Sequence, residues 1–161
     1  MFGNQSILVI GGIMLFTLLL LSFYRSNSIQ TTASIYNEAV ISASGIAQSL
    51  IEEIGKKKFD EGEMIYQSIT TDSLTKSWNF GPDSGETYVN QYDDLDDYHN
   101  YKRVDKLNRL GYFNSNVQVN YGVPSAPDKV SLARTFYKRV EVKVINQYMP
   151  DTLKLYYIAS F

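Results

Sequence analysis

The chain begins with an apolar run that is long enough to form a membrane-spanning or assembly helix. Within residues 7–23 only Thr17 and Ser22 are polar, and no residue from Phe2 to Tyr24 is charged. At about 1.5 Å per residue, a helix of that length covers a bilayer core of about 30 Å. We therefore predict an apolar transmembrane or assembly helix over residues 1–24. Gly11 and Gly12 should allow local loosening or close helix contact within it.

Residues 25–58 continue the helical pattern in amphipathic form. Apolar positions recur at alternating spacings of three and four residues, which is typical of a narrow helical stripe. The stripe consists of Ile29, Ala33, Tyr36, Val40, Ala43, Ala47, Leu50 and Ile54. No proline interrupts it, and Gly55 followed by three lysines indicates the end of the helix. We expect one helix from Ile7 to Ile54, whose second half packs on its own domain.

Residues 59–161 predict a small globular head built on an antiparallel sheet. Val140, Val142 and Val144 alternate with charged residues, which makes residues 137–145 the clearest half-buried strand. Residues 116–121 and 152–158 are predicted as further strands. Residues 77–90 and 124–128 are predicted as loop and turn, and residues 63–69 as a short helical or extended piece. A long helix packed on this sheet makes the fold class α+β.

Two questions about the N-terminus stay open at this point. A secretory signal peptide needs a basic leader and small residues at its cleavage site, whereas no Lys or Arg precedes this run. The first charge, Arg25, follows the run, and the positive-inside rule would then leave the head in the cytoplasm. Removal of a basic leader before Met1 would reverse that orientation.

Composition narrows the function classes. The chain has 15 basic and 17 acidic residues and a net charge of -2, which does not favour binding to nucleic acid. It has no cysteine, so disulfides and thiol chemistry are excluded. It has 13 tyrosines, most of them after residue 60, and such amphipathic rings suit half-buried sheets and subunit contacts.

The sequence offers no constellation for catalysis. The single histidine, His99, is expected to be a solvated loop residue, and no catalytic or phosphate-binding motif occurs. We therefore expect no enzyme activity, no cofactor and no metal centre. The segment Asp93–Asp97 holds four carboxylates and leaves two interpretations open. It is either a calcium site or an acidic turn bonded to backbone amides or to Lys102 and Arg103.

The layout resembles type IV pilins and pseudopilins, in which an apolar helix continues into an amphipathic one beneath a small sheet. Residues 92–98 resemble the acidic D-D-x-D-D-Y loop of minor pilins of the mannose-sensitive haemagglutinin type. A strand similar to residues 138–145 (K-R-V-E-V-K-V-I) follows there too. In that family a peptidase cuts after a glycine, and a glutamate at the fifth mature position neutralises a neighbouring terminus. Here the fifth residue is Gln5, or Leu8 if the cut follows Gly3.

The resemblance implies a structural subunit of an extracellular, type IV pilus-like helical filament. The protein would be anchored in the inner membrane before assembly and would then form a homopolymer at the cell surface, with other pilus or secretion-system subunits as further partners. The residues expected in the filament core are Phe2, Gln5, Ile7, Leu8, Ile10, Gly11, Gly12, Leu15, Leu18, Leu19 and Phe23. The alternative is a monomeric, membrane-anchored extracytoplasmic binding module that contacts a ligand through aromatic loops at 88–101 and 112–121.

Overall fold

The computed structural model of the protein describes residues 2–61 and 70–161. One helix, α1 (Phe2–Ile54), opens the chain, and a five-stranded antiparallel sheet fills its C-terminal part. The fold class is α+β, as predicted. Contacts divide the chain into two compact units, Met1–Glu38 and Ala39–Phe161. The second half of α1, from Ala39 onward, therefore belongs to the same unit as the sheet.

Helix α1 confirms the prediction of one helix over residues 7–54, and it passes through Gly11 and Gly12 without interruption. It ends at Ile54, where the amide of Gly55 still donates to the carbonyl of Ile51 over 2.8 Å. Side chains at Ala39, Ala43, Ala47, Leu50 and Ile54 are completely buried. Small residues at the first three positions allow the backbone to approach the sheet closely.

The predicted stripe is correct only in its second half. Ala43, Ala47, Leu50 and Ile54 are buried as expected, whereas Ile29 is 64% exposed. The buried face also passes through Ala39, next to the predicted Val40, which is half-buried. The first half of the stripe has no sheet to cover it within its own compact unit.

The sheet has the strand order β1-β2-β4-β5, with β3 paired to the far end of β2. The strands are β1 (Lys102–Leu107), β2 (Gly111–Val123), β3 (Ala126–Ser131), β4 (Tyr137–Asn146) and β5 (Leu153–Ser160). Alternate residues of the central strands face the helix and are buried, among them Phe113, Val117, Val119, Val140, Val142 and Val144. The core therefore lies between this face of the sheet and residues 39–54 of α1.

The structure corrects the sequence prediction at the sheet edges. Strands β1 and β3 were not predicted, and only residues 124–125 form the turn that was expected over 124–128. Strand β3 starts at Ala126 and lies so close to β2 that a Cβ on Gly122 would meet the carbonyl oxygen of Pro127 at 2.7 Å. Glycine is therefore required at that position. The predicted piece at 63–69 lies outside the described residues.

Candidate functional site

The apolar run of α1 is exposed around its whole circumference. Large side chains between Ile7 and Tyr24 range from 53% exposed at Leu20 to 79% exposed at Tyr24. One of the two polar residues, Thr17, donates its hydroxyl to the carbonyl of Ile13 over 2.8 Å. This bond satisfies the hydroxyl inside the helix, so Thr17 does not require water. The run therefore offers an apolar surface on every side, and a soluble monomer would leave it in water.

The predicted core residues share this exposure. Gln5, Ile7, Leu8, Ile10, Leu15, Leu18, Leu19 and Phe23 are all exposed. A Cβ on Gly11 or Gly12 would meet no atom within 4 Å, so these glycines leave room for another backbone. Phe2 lies in the helix, and its side chain is outside the described part. By length and composition, the helix is able to cross a membrane.

The acidic segment Asp93–Asp97 is a turn held by its own backbone. Asp94 accepts from the amides of Asp96 and Asp97 through Oδ1, at 2.9 and 3.3 Å. Asp97 accepts from the amides of Asp93 and Asp94 through Oδ2, at 2.9 and 3.1 Å. The interpretation as a turn bonded to backbone amides is confirmed.

The basic partners of this turn differ from those expected. Arg103 pairs with Asp105 at 2.9 Å and with Glu53 at 3.7 Å. Lys58 instead forms an ion pair with Asp93 at 2.7 Å. Of the two alternatives for the acidic turn, the bonds to backbone amides are present, whereas Arg103 pairs with carboxylates of α1 and of its own strand.

A second lysine enters the turn from the interior of the head. Lys138 is completely buried and donates to Asp96 and to the carbonyl of Phe59, while Asp60 lies 3.7 Å away. Its ammonium group also lies over the ring of Phe59, 4.8 Å from the centroid. The sequence held a signal for this position, since Lys138 shares the strand parity of Val140 and Val142. The role was missed because its carboxylate partners are distant in sequence.

Two groups of carboxylates have the separation that a cation site requires. Carboxylate oxygens of Asp60, Asp94 and Asp96 lie within 4.8 Å of one another. The ammonium group of Lys138 already supplies the cation for these carboxylates. Glu86, Asp93 and Asp97 form the other group, also within 4.8 Å. These are the carboxylates that the structure brings together for a hard cation such as calcium.

Burial and neighbouring carboxylates alter the ionisation of Asp94, in the first group, and of Glu61, which lies beside Asp93 of the second group. Burial raises the pKa of Asp94 to about 8, and the neighbouring Asp96 carboxylate adds to this effect. A hydrogen bond with Asp93, together with burial, raises the pKa of Glu61 to about 7. Asp94 therefore keeps its proton to a higher pH than an exposed aspartate does.

Two further predictions about the head need correction. His99 is half-buried, its Nδ1 lies 2.8 Å from the carbonyl oxygen of Val119, and its ring packs edge-on to Phe80. It is therefore not a solvated loop residue. Residues 112–121 lie in strand β2 and do not form a loop. In the aromatic loop expected at 88–101, three tyrosine rings pack edge-to-face with centroids 5.1–6.1 Å apart: Tyr92, Tyr98 and Tyr101.

Comparison with known proteins identifies no relative. No family model, no curated protein and no solved structure matches the chain. Inferences about function therefore rest on the residues and the geometry described above.

Proposed function

We propose that the protein is a structural subunit of a helical filament of the type IV pilus-like kind, assembled through residues 2–24 of α1. The observation that carries this proposal is the exposure of the apolar run on every side of the helix. Burial of a large apolar side chain contributes about 1.5–3 kcal/mol. A bundle of such helices buries all sides at once, whereas contact with the protein's own head could cover only one.

The membrane is the other environment that covers such a helix completely. We propose that the same run anchors the subunit in the inner membrane before assembly, since its length and composition suit a bilayer. Transfer from lipid to a filament then exchanges one apolar environment for another. The filament lies at the cell surface, with self-association as the principal interaction and contacts to other pilus or secretion-system subunits in addition.

A monomeric, membrane-anchored binding module is the second candidate, and a specific groove favours it. Trp78 and Leu132 are 77% and 98% exposed, and both line a groove of about 280 Å³. Arg134 contributes to this groove and is held by Asp72 at 2.8 Å. Exposed apolar side chains beside fixed polar groups are typical of a ligand-binding surface.

A matched pair of substitutions distinguishes the two functions. Leu15→Lys places a charge in the apolar run, where an unpaired ammonium costs several kcal/mol in every subunit. We expect it to abolish filaments after detergent removal, measured by pelleting and negative-stain microscopy. Leu132→Lys makes the same chemical change on the exposed head and should leave the filament yield unchanged. Normal filaments from Leu15→Lys would reject assembly through this apolar run, whereas a lack of filaments from the unsubstituted protein would favour the anchored module.

A further inference from the structure

The outer face of the sheet, which points away from the helix, is strongly basic. Strand alternation places Lys102, Lys106, Arg139, Lys143 and Lys154 on this face, which we term the basic sheet face. Among the described outward-facing residues of β1, β4 and β5, the only carboxylate is Glu141, which pairs with Arg139 at 2.9 Å and Lys143 at 3.2 Å. A chain with a net charge of -2 thus concentrates positive charge on one surface.

The register lines up three lysines across the full width of the sheet. Lys102 lies opposite Asn116, Asn116 opposite Lys143, and Lys143 opposite Lys154. Like charges directly opposite each other on neighbouring strands are destabilising. Exposed apolar groups accompany this row, because Val104 and Ile145 flank Asn114 in a shallow groove of about 360 Å³. Because the row of lysines destabilises the isolated sheet, binding of an anionic partner that neutralises these charges is favoured.

The same head carries a complementary group of acids, which we term the acidic cluster: Glu61, Asp83, Glu86, Asp93 and Asp97. Oxygens of Glu86, Asp93 and Asp97 lie within 4.8 Å of one another. The charges of Asp93, Asp83 and Asp97 all act on Glu61. Lys58 forms an ion pair with Asp93, and this ion pair does not neutralise the other carboxylates of the cluster. Asp83 and Glu61 are exposed and Glu86 and Asp93 are half-buried, so these four are accessible to a second molecule, whereas Asp97 is buried.

The two surfaces cannot meet within one head. The acidic cluster adjoins the end of α1. The backbone of Lys58, just after α1, forms an isolated β-bridge with Asp94, and the hydroxyl of Tyr98 donates to Glu53 of α1 at 2.9 Å. The basic sheet face lies on the opposite side of the sheet from that helix. Any contact between them therefore joins two molecules.

We propose that the acidic cluster of one subunit docks on the basic sheet face of a second copy of the chain. The partner is argued from the charge complementarity of these two surfaces, and its role in assembly rests on the filament function proposed above. Two different patches meet in such a contact, so it is heterologous: it forms a ring if the rotation between subunits closes and an open chain if the rotation does not close. The filament proposed above requires the open form, in which this contact repeats and sets the spacing of heads along the filament.

Charge reversal on either surface tests the contact in the full-length protein. Lys102→Glu/Lys154→Glu and, separately, Glu61→Lys/Asp83→Lys should each reduce the pelleted filament mass by about tenfold, since like charges would then face each other. Lys76→Glu/Lys129→Glu has the same change in net charge as the first pair at exposed sites away from the basic sheet face, and should pellet as the parent does. Circular dichroism should show that all variants are folded.

Mixing the two reversed variants provides the sharper result. In the mixture each reversed face meets the reversed cluster of the other variant, so filaments should return to the parental yield. A structural defect in either variant would not be repaired by mixing. Wild-type yields from both reversed variants alone would overturn the proposal.

Cross-linking separates failure of the contact from failure of the filament function. The chain has no cysteine, so Lys154→Cys and Asp83→Cys each carry a single thiol. We expect a short bismaleimide to link these two variants, mixed at high concentration in detergent, and not Lys129→Cys with Asp83→Cys. Cross-linking without filaments would support the contact and reject the filament function. Filaments without this cross-link would reject the contact alone. Binding of polyglutamate, but not of a second copy of the chain, to the basic sheet face would also reject the contact.

Discussion

At the scale of single residues, Lys138 is a completely buried lysine whose charge is balanced by carboxylates inside the head. It is fully buried with Asp96 and lies 3.7 Å from Asp60. Removing one partner of a buried ion pair leaves an uncompensated charge, which costs about 3–5 kcal/mol. We expect Lys138→Met to lower the free energy of unfolding by that amount in a urea titration of the full chain in detergent.

Two further variants check the reason for this loss. Lys129→Met removes an exposed lysine from β3 and should change the free energy of unfolding by no more than about 0.5 kcal/mol. Lys138→Met/Asp96→Asn removes a carboxylate along with the ammonium and should lose less than Lys138→Met alone. An equal loss from the single and the double variant would show that packing, and not charge, explains the effect.

Asp94 should make the stability of the head depend on pH. Its carboxyl binds a proton more tightly in the folded state than in the unfolded chain, because burial raises its pKa from 3.8 to about 8. The unfolded state therefore releases this proton first as pH rises, and stability falls from about pH 4 to about pH 8. Asp94→Asn imitates the protonated carboxyl and should flatten this decline, measured by urea titrations at several pH values. A decline that is unchanged in Asp94→Asn would assign the effect to another group.

At the scale of elements, the length of α1 followed from the sequence but its buried face did not. A proline-free helical pattern determines how far the helix extends, whereas burial depends on where the sheet lies. Ala39 is completely buried and Tyr36 is 41% exposed, although the periodicity favoured Tyr36. The sheet covers α1 only from about Ala39, and its contact selects a face slightly rotated from the predicted stripe.

The small side chains on the buried face of α1 lead to a testable prediction. Ala43→Leu inserts extra methyl groups where α1 meets the sheet, and overpacking of this kind costs about 1–3 kcal/mol. We expect a lower melting temperature by circular dichroism. Ala33→Leu makes the same change at an exposed position of α1 and serves as the control. Equal melting temperatures for the two variants would show that the interface accommodates the larger side chain.

The strands, like the helix, were predicted only in part from the sequence. Alternation identified β2 and β4, because one side of each is buried; β5 was predicted at 152–158 as a final strand that pairs back, and its inner side chains are mostly half-buried. Strands β1 and β3 are edge strands whose residues are mostly half-exposed or exposed, so alternation was too weak to reveal them. They form by pairing with β2 across the short connections at 108–110 and 124–125, and contacts between strands are not reported by the pattern within one strand.

At the scale of the whole molecule, the two ends of α1 should be separable. The run at 1–24 belongs to the unit Met1–Glu38, whereas the head core begins at Ala39. Deleting residues 1–24 removes the exposed apolar surface and leaves the buried face from Ala39 to Ile54 intact. We expect the shortened protein to be soluble and to run as a monomer in size-exclusion chromatography. Filaments formed by this truncation would show that contacts between heads are sufficient for assembly.

The sequence by itself determined the helix, its apolar run, three of the strands and the α+β class. These features depend on residues that are close in sequence, because helical and strand periodicities are local. Only the tertiary structure decided the partners of the acidic turn, the burial of Lys138, the packing of His99 and the row of lysines across the sheet. Each of these depends on strand register and on residues tens of positions apart, which meet only when the core excludes water and fixes the strands.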